Sequence, residues 1–247
     1  MRRILLASIL FISAGPCALA DDAKAPAKDT PEEISATKAH NEDIVARSPG
    51  ADGVFVVQSD GTIKHVQSGM ECPAKLPNVQ FWHAEVFESP AGKGVDVGCD
   101  YGRNGADGKW VSKLTIFATK APAEMTLDQA FAKDRGEVIQ ATQDATSIGA
   151  AMNLDDKDKG LPTALPEWRS EAFLTTYEGK QSTDEVVVAV SNGWVLEIRT
   201  TYLGKPNNIV VAKDGDPDDA ALALGDRIMA TFAYVQVGRT IDKLLAK

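Results

Sequence analysis

VQFWHAEVFE SPAGKG VDVGCDY GRNGADGK WVSKLTIFAT, residues 79–119, is the stretch whose reading decides the fold. Its three runs of Val, Phe, Trp, Tyr and Thr are separated by two segments dense in Gly, Pro, Asn and Asp, the residues that turn a chain. Residues 79–88, 95–101 and 110–119 are therefore predicted as strands. Connections this short leave no room for a crossover helix, so the strands form an antiparallel meander.

The same order recurs near the other end of the chain. Strands are predicted at 168–177, 185–190 and 194–203, with Asn192-Gly193 as the turn between the last two. Each meander is followed by a helix. Thr126 with Gln129 at capping-box spacing opens the first, and Leu127, Ala130, Phe131, Val138 and Ile139 give it a partial apolar stripe through about residue 148. Asp216 and Pro217 open the second, which carries Leu222, Leu224, Ile228, Met229, Phe232 and Val235, and a short helix is predicted over 239–245.

Two further elements precede the first meander. Thr30, Pro31 and Glu33 start a helix over 31–47, whose few large apolar residues, Ile34, Ile44 and Val45, predict weak packing. Residues 54–59 and 62–67 read as a hairpin around a two-residue Asp60-Gly61 turn. The expected fold class is α+β: a twisted antiparallel sheet, or sheets, from two meander-plus-helix halves, with the helices packed on the sheet. The organisation is a leader over 1–20, a linker and helix over 21–49, one half over 50–151, a polar linker over 152–167 and the other half over 168–247. Residues 50–247 are expected to form one globular domain.

Asn192-Gly193-Trp194-Val195-Leu196-Glu197-Ile198-Arg199-Thr200-Thr201-Tyr202, with the helix that follows, resembles the end of PsbP/Mog1-like domains, where a strand after Gly-Trp precedes a terminal helix. The segments around Met70-Glu71-Cys72-Pro73 and Val97-Gly98-Cys99-Asp100-Tyr101 are similar to uncharacterised exported proteins of Gram-negative bacteria. The resemblance implies export and an α+β fold. It implies no activity.

Composition agrees with export. Arg2 and Arg3, an apolar run over 4–12 and Ala18-Leu19-Ala20 before Asp21 read as a secretory leader cut between Ala20 and Asp21. Acylation at Cys17, which would make a lipoprotein, is disfavoured by the adjacent Pro16. The apolar run is too short for a permanent span, and no later stretch has the length of a transmembrane helix, so no membrane anchor is expected. Removing the leader takes two arginines and no acid from a chain with 26 basic and 35 acidic residues, so the net charge moves from −9 to about −11. So acidic a surface argues against nucleic acid as a partner. Cys72 and Cys99 remain as an even pair in an oxidising compartment, where a disulfide stapling two strands of one sheet is expected, two buried free thiols being the alternative.

Candidates for chemistry are few. His65 and His83 flank Cys72 with Glu71 beside it, and His65, Glu71 and His83 could meet as a metal site if hairpin and meander pack together, but their spacing fits no ligand motif; His40 lies in the first helix. Ser35 and Lys38 have Ser-x-x-Lys spacing without its partner motifs. The acidic runs at 155–158 and 214–219 satisfy no calcium-loop pattern. No nucleophile elbow, zincin helix or phosphate loop occurs, and neither a cofactor nor a resident metal is expected. Trp82, Trp110, Trp168 and Trp194, each on or beside a strand, either fill the core or line a groove between sheet and helix. The expected function is that of a non-catalytic periplasmic binding or accessory protein, taking another envelope protein, a peptide or a lipid in an apolar groove. A periplasmic hydrolase with residues assembled only by the fold is the alternative.

Overall fold

The structure, a computed structural model, describes residues 29–76, 79–105, 108–142, 144–149 and 168–203. The leader, Cys17, the 152–167 linker, both acidic runs and the helices predicted after residue 216 lie outside the described residues.

Helix α1, Pro31–Arg47, starts where the sequence predicts: the Thr30 side chain accepts from the Glu33 backbone N–H, and the Glu33 carboxylate accepts from the Thr30 N–H at 2.8 Å. Ser35 and His40 lie on its exposed side, and Lys38 pairs with Glu42 one turn on. The helix is held better than its apolar content suggests. Asn41 is buried and donates through Nδ2 to the carbonyls of Gly61 at 2.9 Å and Ala74 at 3.2 Å, so a polar side chain does the anchoring.

A small sheet of β1 (Phe55–Val57), β2 (Ile63–His65) and β3 (Glu71–Cys72) follows, in the order β1-β2-β3. The β1–β2 turn has three residues where the sequence reading gave two. Gln58 N–H reaches the Thr62 carbonyl at 2.7 Å, leaving Ser59, Asp60 and Gly61 in the loop, with Gly61 at φ +85°.

Seven strands form the large sheet: β4 (Gln80–Val86), β5 (Asp96–Asn104), β6 (Trp110–Lys120), β7 (Thr146–Gly149), β8 (Trp168–Tyr177), β9 (Lys180–Ser191) and β10 (Trp194–Leu203). Their spatial order is β4-β5-β6-β10-β9-β8-β7, antiparallel throughout. The two meanders thus join edge to edge through β6 and β10, with Ile198 opposite Ile116. Strand β9 begins five residues before its predicted start, because Glu178-Gly179, both at positive φ, make a tight turn equivalent to Asn192-Gly193.

Helix α2, Leu127–Ala141, has its expected Thr126–Gln129 capping box but ends seven residues early. Ile148 belongs to edge strand β7, paired with β8.

The large sheet carries a core on each face, and the molecule is α+β. On one face Phe81, Val97, Tyr101, Leu114, Ile116, Leu196 and Ile198 pack with α1 and the small sheet through Ile44, Val45, Phe55, Ile63 and Met70. On the other, Phe173, Val186, Val188 and Val195 pack under Ala130 and Val138 of α2. Cys72 and Cys99 are bonded at an S–S distance of 2.04 Å. The bond joins β3 of the small sheet to β5 of the large one, so it staples two layers and not two strands of one sheet.

Candidate functional site

Strand alternation puts Val195, Glu197 and Arg199 of β10 and Phe117 and Thr119 of β6 on the face that carries α2. Helix α2 packs on β8 and β9 and is tied down by the Arg135 guanidinium on the Glu171 carboxylate, at 2.6 and 3.2 Å. Between α2 and the β4, β5, β6 and β10 part of this face lies a cleft of about 740 Å³. Phe87, Phe117, Pro122, Met125 and Val195 supply its apolar wall. Gly98 makes the space for one of these rings, since a Cβ there would lie 3.2 Å from the Phe117 ring.

The polar wall is a chain of charges. Lys133 Nζ reaches Asp134 at 3.1 Å and Glu137 at 2.7 Å, Glu137 continues to Arg199 at 3.4 Å, and Arg199 closes on Glu197 at 2.7 Å. Three carboxyl groups thus share two cations. Burial pushes the Glu197 carboxyl up to about 7 against the pull of Arg199, with Asp134 and Glu137 adding repulsion. Burial also raises Asp134, which Lys133 only partly offsets. Asp134 Oδ2 is buried in the wall and meets no hydrogen-bond donor among the described residues. A protonated amine or another strong donor at this point would satisfy Asp134 and favour ionised Glu197.

A second cluster lies on the same face, on β4, β5 and β6. His83 is paired with Asp100 in register, and Asp100 with Thr115. A bulge between Phe81 and His83 makes this possible by inserting Trp82 as an extra residue. Strict alternation would set Phe81 and His83 on one face. With the bulge, Phe81 and Ala84 enter the core while His83 and Glu85 face outward together. His83 Nε2 is 2.8 Å from Glu85 Oε1 and 3.1 Å from Asp100 Oδ2.

The metal trio expected from sequence is not assembled. His65 is fully buried between Phe55 and Trp194, with ring centroids at 5.5 and 5.4 Å, and its Nδ1 is 2.7 Å from Ser68 Oγ. Burial brings its imidazole down to about 4, outweighing a backbone interaction with Gly94, so it is a neutral core group. Glu71 accepts from Gln58 at 3.3 Å, and His83 has Glu85 and Asp100 as its neighbours instead.

Nor do the four tryptophans line one groove. Trp194 is core, and Trp168 packs partly buried against that core. Trp110 stacks edge-on to Tyr177 at 4.8 Å. Trp82 lies over Gly102, where any Cβ would sit 2.0 Å from the ring. The aromatics of the cleft beside α2 are Phe87 and Phe117, whose centroids are 6.1 Å apart. Sequence reasoning passed over Glu197, Arg199 and Asp134 because charged residues on an amphipathic strand and helix read as solvated.

No family model and no curated protein matches the chain. Similar solved structures include a protein from Bacteroides thetaiotaomicron, 14% identical with a TM-score of 0.25 over 70% of this chain and 46% of that one. The di-domain ARO/CYC StfQ from the steffimycin biosynthetic pathway is 10% identical, with a TM-score of 0.24 over 70% of this chain and 43% of its own. CalU16 from Micromonospora echinospora is 13% identical, with a TM-score of 0.23 over 68% of this chain and 99% of that one. This chain spans less than half the length of the first two, and at these scores none of the three assigns it a fold or a function.

Proposed function

We propose that this chain is a non-catalytic binding protein of the cell envelope, exported to the periplasm, whose ligand is a small amphipathic molecule with an apolar body and a cationic end. The observation that carries the reading is Asp134 Oδ2, buried without a donor among the described residues in the wall of a cleft that Phe87, Phe117 and Met125 also line. A cleft of about 740 Å³ is the size that takes a small organic ligand. A cation entering it relieves the excess of carboxyl groups, and the apolar body covers the aromatic wall.

Glu197 gives the proposal a sign. With its folded value raised from 4.5 to about 7, its neutral form stabilises the ligand-free fold fully below about 4.5 and loses that contribution as pH rises through 7. A bound cation favours the ionised form, so affinity should rise between pH 6 and pH 8. Calorimetry with n-octylammonium and octanoate tests this. Saturable octylammonium binding at least tenfold tighter than octanoate, tightening with pH in the wild type and not in Glu197→Gln, is the expected result. Equal affinity for the two probes, or no saturation with either, overturns the proposal.

Export is supported by the leader-like start and by the disulfide. The intact mass of the protein recovered from the periplasm of an expressing cell should begin at Asp21, and a mass beginning at Met1 would reject cleavage.

A hydrolase is the second reading, favoured by a carboxyl near 7 in a cleft, the range of a general acid or base. Thr119 adds a hydroxyl that donates to Asp96 at 2.8 Å. Release of p-nitrophenol from its octanoate ester, abolished by Glu197→Gln, would move the assignment there.

A further inference from the structure

We propose that His83, Glu85 and Asp100 bind a divalent first-row transition-metal ion. His83 Nε2, Glu85 Oε1 and Asp100 Oδ2 all lie within 4.8 Å of one another. For a tetrahedral ion with ligand bonds of about 2.1 Å, neighbouring ligand atoms are about 3.4 Å apart. The separations of 2.8 and 3.1 Å from Nε2 to the two carboxylate oxygens need only a small spreading to reach that distance. One imidazole nitrogen with two carboxylate oxygens is a donor set that suits zinc, cobalt, manganese or iron(II).

The hydrogen bonds of the cluster give an independent reason. A single Nε2 faces two carboxyl oxygens, and it carries at most one proton. Its nearest oxygens are Glu85 Oε1 at 2.8 Å and Asp100 Oδ2 at 3.1 Å. Asp100 has a completely buried side chain, and its Oδ2, aimed into the cluster, has ion-pair partners, Lys113 Nζ at 2.9 Å and His83 Nε2 at 3.1 Å, neither of them aligned as a hydrogen bond. A metal ion in place of the proton bonds all three atoms at once. Behind Asp100, the Thr115 hydroxyl donates to Oδ1 and fixes the carboxylate plane, the kind of outer support that orients a ligating carboxylate.

Lys113 then has a definite role. Its ammonium neutralises Asp100 from a side chain that is 44% exposed, so it can swing into solvent when an ion arrives. A cation and this ammonium compete for Oδ2, and removing the lysine should strengthen metal binding. Any carboxylate stripped of its ammonium attracts cations more strongly, so the result that marks a three-ligand site is the dependence of binding on His83 and Glu85. The inference does not rest on the cleft ligand, because octylammonium binding is read on a different set of residues, apart from Glu85 at the cleft edge.

The test uses untagged, chelator-treated full chain titrated with Co²⁺ by calorimetry and visible absorption, with Zn²⁺ as competitor. One Co²⁺ per chain is expected, displaced by Zn²⁺, weakened at least tenfold by His83→Ala and by Glu85→Gln and tightened roughly tenfold by Lys113→Met. The melting temperature of each variant is measured alongside, so that a loss of fold is not mistaken for a loss of ligand. Binding unaffected by His83→Ala and Glu85→Gln in folded protein overturns the proposal, as does the absence of stoichiometric binding in both the wild type and Lys113→Met.

Discussion

Trp194→Ala is expected to lower the unfolding free energy by about 3–5 kcal/mol, the usual range for deleting a large buried aromatic. Trp194 opens β10 and is only 6% exposed. One edge of its ring meets His65 of the small sheet at a centroid distance of 5.4 Å and an interplanar angle of 80°. Lys120 Nζ, on the neighbouring strand, lies 5.0 Å from its ring centroid. The side chain therefore bridges the two sheets, and its removal leaves a cavity at their junction that the paired strands cannot close. It also strips one wall from His65, whose imidazole stays neutral because it is buried. Urea unfolding followed by far-ultraviolet circular dichroism should show a lower midpoint, with Trp194→Phe in between. A midpoint within error of wild type for Trp194→Ala would show that the two sheets do not depend on this contact.

Breaking the Cys72–Cys99 bond is expected to cost about 3–4 kcal/mol, from the chain entropy restored to a loop of 27 residues. For a chain of this size that corresponds to roughly 6–16 °C in melting temperature. Both cysteines are fully buried, so Cys72→Ser or Cys99→Ser adds a buried hydroxyl to the same loss. Because the bond ties the small sheet to the large one, the loss should fall first on the contacts among Phe55, Ile63, Met70 and the large sheet. Hydrogen exchange in the oxidised and reduced protein checks this: amides of β1 to β3 should lose protection before those of β6, β9 and β10. Two free thiols in the unreduced protein, or equal melting temperatures with and without reductant, would remove the staple from this account.

Most of the strands were legible because their signals are local. Strand β8 ends and strand β10 begins where alternation and turn residues put them, and Asn192-Gly193 needs nothing beyond two residues at positive φ. Both helix starts were legible for the same reason, since a capping box spans four residues. The end of α2 was not. Ile148 continues an apolar rhythm on paper, but pairing of Thr146 and Ser147 with β8 recruits the segment into the sheet. The bulge at Trp82 was equally hidden, because it is fixed by Phe81 and Ala84 both finding the core, a contact with distant residues.

By itself the sequence determined the α+β class, the two antiparallel meanders, the helix starts and the pairing of the only cysteines that remain beyond the leader-like segment, all of which rest on neighbours within a few residues or on composition. Tertiary structure alone decided that β6 and β10 join the meanders into one sheet, that the disulfide crosses between layers, and that Glu197 becomes a carboxyl near 7 while His83 gathers two carboxylates. The reason is the range of the forces. Turn and cap geometry is set within the chain's own next few bonds, whereas burial, desolvation and cross-strand charge pairing come from residues tens of positions away, which a linear pattern does not place.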